Sequence, residues 1–174
     1  MNETAAALGA SATEAVSPAE QTASEGRPVT FEELFTQQYE SMVRTAFLLL
    51  GSRAEAEDVA QDAFARVDLR WSRLDNPGGY LRRCVVNRSH DTLRRRRVEQ
   101  RFRGLRHEAT NELGADELTD ALAALPPKRR AAIVLRYYGG LKEREIAEVM
   151  RVRPGTVKSL LHRALAQLRL EIER

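Results

Sequence analysis

Four polar side chains in one short stretch could bind a partner through charge: Glu57, Asp58, Gln61 and Asp62. Asp58 and Asp62 are four residues apart, so on a helix they project from the same side. A carboxylate pair at this spacing can bind a cationic protein surface or a metal ion. A metal ion would need further ligands, and the sequence offers no obvious set of His or acidic partners. A metal site is therefore disfavoured, and the four residues form the polar face of a predicted helix.

The basic residues are unevenly distributed, with a run of arginines at residues 94–97. The whole chain has a formal net charge of only +3. A cluster of basic residues on a surface that otherwise carries both charges favours a polyanion as partner. The alternative is an arginine-rich helix end that is simply exposed to solvent. Arginine suits this task because its planar guanidinium donates paired hydrogen bonds to phosphates and base edges.

Several classes of protein and site are disfavoured. The single cysteine, Cys84, lies in an apolar run, so we expect a core residue, no internal disulfide and no metal site. No Gly-rich phosphate loop or nucleophile elbow occurs, so we predict no catalytic residue and no cofactor. No apolar stretch is long enough for a membrane span, and the N-terminus does not resemble a secretion signal. The cytoplasm is the predicted compartment.

The elements that must position the polar sets are predicted to be all helical. Apolar residues recur at three- and four-residue steps from Phe31 to Leu50, with a capping-box pattern at Thr30 and a glycine at the end. A second helix, carrying the acidic set, follows Ser52, for which Glu55 is the predicted capping partner. A third helix runs from about Tyr80 to Arg97, after a break rich in Pro and Gly.

The C-terminal part is predicted to add more helices. One begins at Asp116 and stops at the Pro126–Pro127 pair. The next runs from Lys128 to Tyr138, with Ile133, Val134 and Tyr137 expected inside. We therefore predict an all-α fold.

Residues 143–162 fit the template of a helix-turn-helix. Ala147 stands where the first helix needs a small side chain, and Pro154 opens the second helix. Arg151 departs from the pattern, because many such motifs have Gly at the turn. The second helix would enter a major groove with the polar residues Thr156, Lys158, Ser159, His162 and Arg163 facing outward. An ordinary helical hairpin would explain the apolar positions but not this polar face.

Three regions together resemble one family. Residues 56–64, AEDVAQDAF, look like the polymerase-binding helix of sigma domain two, and residues 80–88, YLRRCVVNR, resemble the promoter-reading helix of that domain. Residues 125–138, LPPKRRAAIVLRYY, which precede the helix-turn-helix, are similar to sigma domain four. Over roughly residues 30–172 the chain resembles sigma factors of the extracytoplasmic-function (ECF) kind in the sigma-70 family, and most of all their SigE-like actinobacterial branch.

The resemblance implies two small helical domains joined by a flexible linker. Residues 30–97 would form sigma domain two, residues 98–115 the linker, and residues 116–174 sigma domain four. The preceding residues, 1–29, are poor in large apolar groups, and we predict a disordered tail.

The resemblance also implies partners and site residues. The protein would be an alternative sigma factor that binds the bacterial core RNA polymerase and directs promoter-specific initiation. Its acidic set, Glu57, Asp58, Gln61 and Asp62, would bind the core polymerase. The minus-ten element would be bound by Arg70, Trp71, Arg73, Leu74, Asp75 and Asn76 in a loop, and by Arg83, Asn87, Arg88, Asp91 and Arg94 on a helix. The minus-thirty-five element would be bound by Thr156, Lys158, Ser159, His162 and Arg163.

Three points stay open in this interpretation. Trp71 could equally be a core residue rather than a DNA-binding one. The neighbouring arginines at the end of the third helix, Arg95, Arg96 and Arg97, are expected to bind DNA phosphates. An anti-sigma factor is a further partner that the sequence neither requires nor excludes. Three other classes of protein remain as alternatives: an autonomous helix-turn-helix regulator, a nucleic-acid hydrolase and a helical interaction module. The first would leave the motifs of residues 53–97 unexplained.

Overall fold

The computed structural model describes residues 30–103 and 117–172, and every regular element in these two ranges is helical. Seven α-helices are found there, joined by one short 3-10 turn and one π-helical segment. The bounds are α1 Phe31–Leu50, α2 Arg53–Asp68, the 3-10 turn Trp71–Arg73, α3 Pro77–Arg103, α4 Glu117–Ala124, α5 Pro127–Ile133, the π segment Val134–Tyr138, α6 Glu143–Met150 and α7 Pro154–Ile172. The all-α prediction is confirmed for the described residues.

Helix α1 has the ends that its sequence predicts. The Glu33 N–H donates to the Thr30 hydroxyl and the Thr30 N–H donates to the Glu33 carboxylate, each at 3.2 Å, which completes the capping box. Gly51 ends the helix in the left-handed conformation, with φ 74°. The chain can therefore reverse at once into α2.

Helices α1, α2 and α3 enclose the core of the N-terminal half. Phe64 of α2 is 2% exposed and lies at the centre of an aromatic cluster with Phe31, Phe35 and Tyr39 of α1. Leu81 of α3 is fully buried beneath it in the same core. This packing holds α2 and α3 side by side, with their polar faces outward.

Helices α4 to α7 form the C-terminal half, in which α6 and α7 build the predicted helix-turn-helix. Ile146 and Val157, one on each helix, are both fully buried. Ala147 is 5% exposed and its carbonyl accepts from the Val152 N–H at 3.0 Å, which closes the turn. Arg151 takes the left-handed conformation, with φ 53°, at the position where such motifs often have Gly.

The two halves pack against each other in this structure. The Arg130 guanidinium of α5 donates to the Leu49 carbonyl at the end of α1, at 2.7 Å. Burial lowers the pKa of Arg82 on α3, and the nearby Glu145 carboxylate of α6 raises it in part. A single buried core runs through both halves. The helix-turn-helix therefore lies against the helix that was predicted to read the minus-ten element.

The structure differs from the sequence predictions in three local features. Helix α3 begins at Pro77 and continues to Arg103, so the first residues of the predicted linker are helical. Ser52 makes no side-chain cap, and the Glu55 carboxylate, the other half of the predicted capping box, pairs with Arg96 of α3. Tyr137 is 65% exposed rather than inside, because the π segment adds residues to the turn and changes the phase of the helix.

Other predictions fall outside the described residues or are unaffected by them. The tail at residues 1–29 and most of the linker, residues 104–115, lie outside the described ranges. Among the described helices, none combines the length and the apolar character that crossing a membrane requires. Within the same ranges, no group of three or more His, Cys, Asp or Glu is placed to hold a metal ion.

Candidate functional site

The acidic set lies on the outer side of α2, opposite the face that packs into the core. Asp58 and Gln61 are exposed, while Glu57 and Asp62 are partly exposed. Val59 and Ala63, on the other side, are buried and fix the rotation of the helix. The four residues that the sequence groups together therefore share one accessible surface.

Two members of this set already have basic partners. The Glu57 carboxylate accepts from the Arg53 guanidinium at 2.9 Å, one helical turn away. Asp62 Oδ2 lies 2.6 Å from Nη2 of Arg88, which belongs to α3. The acidic face is thus joined directly to the helix that was predicted to read the minus-ten element.

On α3 the predicted DNA-binding residues do not all point the same way. Asn87, Asp91 and Arg94 follow each other at steps of four and three residues and are all exposed, so they form one face. Arg94 pairs with Asp91 at 3.3 Å. Arg88 is turned to the side toward α2, and Arg83 lies toward the start of the helix.

The loop before α3 contains residues that stabilise the loop beside residues that are exposed to solvent. Trp71 is half-buried, with its ring edge-to-face against Phe31 at 5.7 Å, and Leu74 also packs on the core. Asn76 caps α3, because its Oδ1 accepts from the Gly79 N–H at 2.8 Å. Three of the six predicted loop residues thus hold the loop in place, while Arg70, Arg73 and Asp75 are exposed.

A residue that sequence reasoning missed lies between two predicted ones. The guanidinium of Arg70 lies 5.8 Å and that of Arg83 lies 5.0 Å from the ring centroid of Tyr80. Arg70 also donates to the Tyr80 hydroxyl at 2.9 Å. One feature of the sequence could have identified Tyr80: it is the only aromatic residue in residues 80–88, and two arginines follow it closely.

The arginine run at the end of α3 is only partly available to phosphates. Arg96 pairs with Glu55 through its Nη2 and Nε atoms and donates to the Leu50 carbonyl at 2.9 Å. Its side chain is 26% exposed. Arg96 is therefore already engaged within the protein, whereas Arg95 and Arg97 are exposed.

Cys84 lies in the first half of α3. It is half-buried rather than fully inside, and packs on the core. Burial raises the pKa of the Cys84 thiol, against smaller opposing effects of the Tyr80 hydroxyl and nearby arginines. A thiol with a raised pKa is a weak nucleophile at neutral pH, as expected for a packing residue.

Helix α7 presents its predicted polar face to solvent. All five predicted residues are exposed: Thr156, Lys158, Ser159, His162 and Arg163. Val157 and Leu161 on the opposite side are buried at 0% and 8% exposure, which sets the rotation of the helix. Ser159 donates its hydroxyl hydrogen bond to the Gly155 carbonyl at 3.1 Å and can still accept. The exposed face begins at the first turn of α7, where a recognition helix contacts base edges.

Comparison with known families identifies the family to which the chain belongs. Residues 34–99 match Sigma-70 region 2, and residues 115–168 match Sigma-70, region 4. Together these two matches cover more than half of the chain. The chain belongs to the sigma-70 family.

The names of its relatives show to which group of the family this chain belongs. The "RNA polymerase sigma-E factor" of Streptomyces antibioticus is 35% identical over 158 residues, which span 86% of this chain and 88% of that protein. The protein of the same name in Streptomyces coelicolor is 33% identical over 84% of this chain and 88% of its own length. The "ECF RNA polymerase sigma factor SigE" of Mycolicibacterium smegmatis is 37% identical over 80% of this chain and 60% of that protein. The chain is an alternative sigma factor of this ECF, sigma-E-like group, and it directs promoter-specific transcription initiation.

Solved structures share the fold. The sigma factor RpoE of Bartonella quintana, in complex with the anti-sigma factor NepR, superposes with a TM-score of 0.72 at 22% identity, over 82% of this chain and 96% of that one. CnrH, in complex with the cytosolic domain of CnrY, superposes with a TM-score of 0.65 at 23% identity, over 82% and 87%.

Proposed function

We propose that three surfaces divide the work of this sigma factor. The outer side of α2 docks on the core polymerase, the exposed face of α3 with the loop before it binds the minus-ten element, and α7 binds the minus-thirty-five element. The observation that carries the proposal is that each predicted polar set lies on a surface left open by the packing of both halves. The protein itself catalyses nothing, since the polymerase supplies the chemistry, and it works in the cytoplasm.

The docking face suits a basic protein surface. Asp58 is exposed on the middle of α2, one turn from Asp62, and both carboxylates can accept several hydrogen bonds. In the sigma-70 family the corresponding helix faces the clamp helices of the largest polymerase subunit, and the same role is proposed here.

The minus-ten surface suits unpaired bases and their phosphates. Opening a promoter exposes bases, and moving one out of the stack costs a few kcal/mol that a protein offsets by stacking and edge contacts. Asn87 and Asp91 offer amide and carboxylate edges on the exposed face of α3. Arg70 and Arg83, which flank Tyr80, supply positive charge beside an aromatic ring.

The two DNA-binding surfaces must separate on a promoter. The two elements, named by their positions, are about 25 base pairs apart, roughly 85 Å along B-form DNA. In the structure α6 lies against α3, as the approach of Glu145 to Arg82 indicates. Binding of both elements therefore requires the halves to move apart while the polymerase holds them. Neither half alone need bind tightly, because tethering makes the second contact intramolecular.

An anti-sigma factor is a proposed inhibitor of this chain. The solved RpoE and CnrH structures each contain a second protein, described for RpoE as an anti-sigma factor. An inhibitor that stabilises the packed arrangement of the two halves would keep the promoter surfaces from reaching both elements.

Charge reversal tests the docking face. The double variant Asp58→Lys with Asp62→Lys is expected to lose binding to purified core polymerase, measured by co-elution in size-exclusion chromatography. Glu40→Lys with Asp68→Lys, two exposed acidic residues outside the set, controls for the change in net charge. Assembly that is equal in both double variants would remove the acidic set from the interface.

A further inference from the structure

The ion pair between Asp62 and Arg88 connects two surfaces to which the proposed function gives different partners. Asp62 belongs to the docking face of α2 and Arg88 to the promoter helix α3. Their side chains are 47% and 33% exposed, and Oδ2 lies 2.6 Å from Nη2. A competitor from either partner can therefore reach this pair.

A second ion pair between α2 and α3, formed by Glu55 and Arg96, serves as a structural comparison. Glu55 and Asp62 are seven residues apart on α2, while Arg88 and Arg96 are eight apart on α3, so both pairs lie along one antiparallel seam. Arg96 also donates to the Leu50 carbonyl at 2.9 Å. In the described part of the chain, Arg88 has no such main-chain bond, and Asp62 is its ion-pair partner. Of the two ion pairs, the one between Asp62 and Arg88 is therefore the one that can open and let each residue bind another partner.

The pair also holds Arg88 away from the face that would meet DNA. Asn87, Asp91 and Arg94 form the exposed face of α3, and Arg88 follows Asn87 by one residue, about 100° further around the helix. Its guanidinium is directed at α2 by the Asp62 carboxylate. Arginine is long enough to swing toward DNA once that carboxylate has another partner.

We propose that Asp62 withholds Arg88 from DNA in the free chain, and that a polymerase cation bound to Asp62 releases Arg88 to promoter phosphate. The inference rests on the proposed function, because it assigns Asp62 to the polymerase and Arg88 to DNA. Asp62 is thus a positioning residue for Arg88 as well as a docking residue. Thermodynamic linkage makes this effect reciprocal. If polymerase binding raises the DNA affinity by a certain factor through this pair, DNA binding raises the polymerase affinity by the same factor. For an ion pair of this exposure the factor is about two to five.

The test measures two affinities for the same full-length variants. DNA affinity is measured by the anisotropy of a fluorescent single-stranded oligonucleotide of mixed sequence, and core affinity by titration with sigma-free polymerase. Asp62→Asn is expected to bind DNA about two- to fivefold more tightly and to bind core more weakly. A merely structural residue would not move the two affinities in opposite directions.

Two further variants isolate the pair. Asp68→Asn removes one negative charge at the exposed end of the same helix and gives the baseline for net charge. Arg88→Gln breaks the pair from the other side and is expected to bind core about two- to fivefold more tightly in the absence of DNA. In the Arg88→Gln background, Asp62→Asn should change DNA affinity no more than Asp68→Asn does.

The outcomes separate this inference from the proposed function. Weaker core binding by Asp62→Asn with DNA affinity at the Asp68→Asn baseline would overturn the release of Arg88 and leave the docking face intact. Core binding unchanged in Asp62→Asn and in Asp58→Asn alike would overturn the docking face and this inference with it.

Discussion

The Arg130 guanidinium reaches from α5 to the Leu49 carbonyl at the end of α1, at 2.7 Å, and so joins the C-terminal half to the N-terminal half. Arg130 also donates to the carbonyls of Ala123 and Leu125. Its side chain is 8% exposed, and its acceptors are main-chain carbonyls rather than a carboxylate. Burial, with smaller effects of Arg96 and Arg97, lowers the pKa of Arg130 to about 10. The contact therefore combines several hydrogen bonds with a costly buried charge.

Removing this guanidinium should destabilise the packed arrangement. We expect Arg130→Met to lower the free energy of unfolding by about 1–3 kcal/mol, because the lost hydrogen bonds leave buried carbonyls without donors. Urea denaturation followed by circular dichroism measures the change. Arg129→Met is the neighbouring control, since its guanidinium bonds to Gln167 within the C-terminal half, at 3.0 Å. Stability equal to or above that of the wild type would show that the buried charge costs more than its bonds contribute.

His90 should make the same interface sensitive to acid. Burial lowers the pKa of His90 on α3, with Lys128 adding to this effect, while the hydrogen bond to the Pro127 carbonyl and the Asp91 carboxylate oppose it. Its Nε2 is buried without a hydrogen-bond partner among the described residues. Since the unfolded chain titrates near a pKa of about 6.5, it binds more protons than the folded chain just below that pH. Stability should therefore fall as the pH drops from about 6.5 toward the lower folded pKa.

The variant His90→Gln should remove this part of the acid sensitivity. Thermal unfolding between about pH 7 and pH 5 should show a smaller loss of stability than in the wild type. This window lies above the titration of most carboxylates, so the histidine contribution can be read from the difference between the two proteins. An identical slope in the two proteins would contradict this assignment.

The turn of the helix-turn-helix contains a strained residue that can be relieved. Arg151 has φ 53°, a left-handed conformation that side chains with a Cβ disfavour. We expect Arg151→Gly to raise the free energy of unfolding by about 0.5–1 kcal/mol. Gly140→Ala is the reverse test, because Gly140 has φ 65° with open space around it, and it should destabilise by a similar amount. A loss of stability in Arg151→Gly would show that the arginine side chain stabilises the turn.

The exposed face of α7 can be tested one residue at a time. Arg163→Ala is expected to reduce discrimination between the preferred minus-thirty-five element and its single-base variants by about 1–3 kcal/mol, the usual contribution of a good base contact. Holoenzyme binding to a set of promoter duplexes measures it. Equal loss on every upstream sequence would instead assign Arg163 to a phosphate.

Local patterns predicted much of this fold, because the interactions behind them are local. The Thr30 cap, the left-handed Gly51 and the start of α7 at Pro154 each depend on residues within one helical turn. The second predicted capping box is absent, and the Glu55 carboxylate meets Arg96, 41 residues further along the chain, instead of the Ser52 N–H. Sequence spacing cannot reveal a competitor at that distance.

The sequence indicated which residues of the candidate site share an exposed helix face, but not how these residues contact their neighbours in the folded protein. The exposed residues of α2 and α7 follow from helical periodicity, since the apolar side of each helix fixes the polar side. Which loop residues are structural depends on tertiary packing: Trp71 rests on Phe31, and Asn76 caps α3. The exchange of Arg88 between two partners likewise appears only when α2 and α3 lie side by side.

Reconstituted transcription tests directly whether this chain selects promoters for the polymerase. The purified chain is mixed with sigma-free bacterial core polymerase and genomic DNA fragments, and the RNA 5′ ends are mapped. We predict defined start sites preceded by two shared, spaced sequence elements, which are lost with the Asp58→Lys, Asp62→Lys variant. Start sites no different from those of core polymerase alone, together with no binding of the chain to core, would contradict this function and favour an autonomous DNA-binding protein.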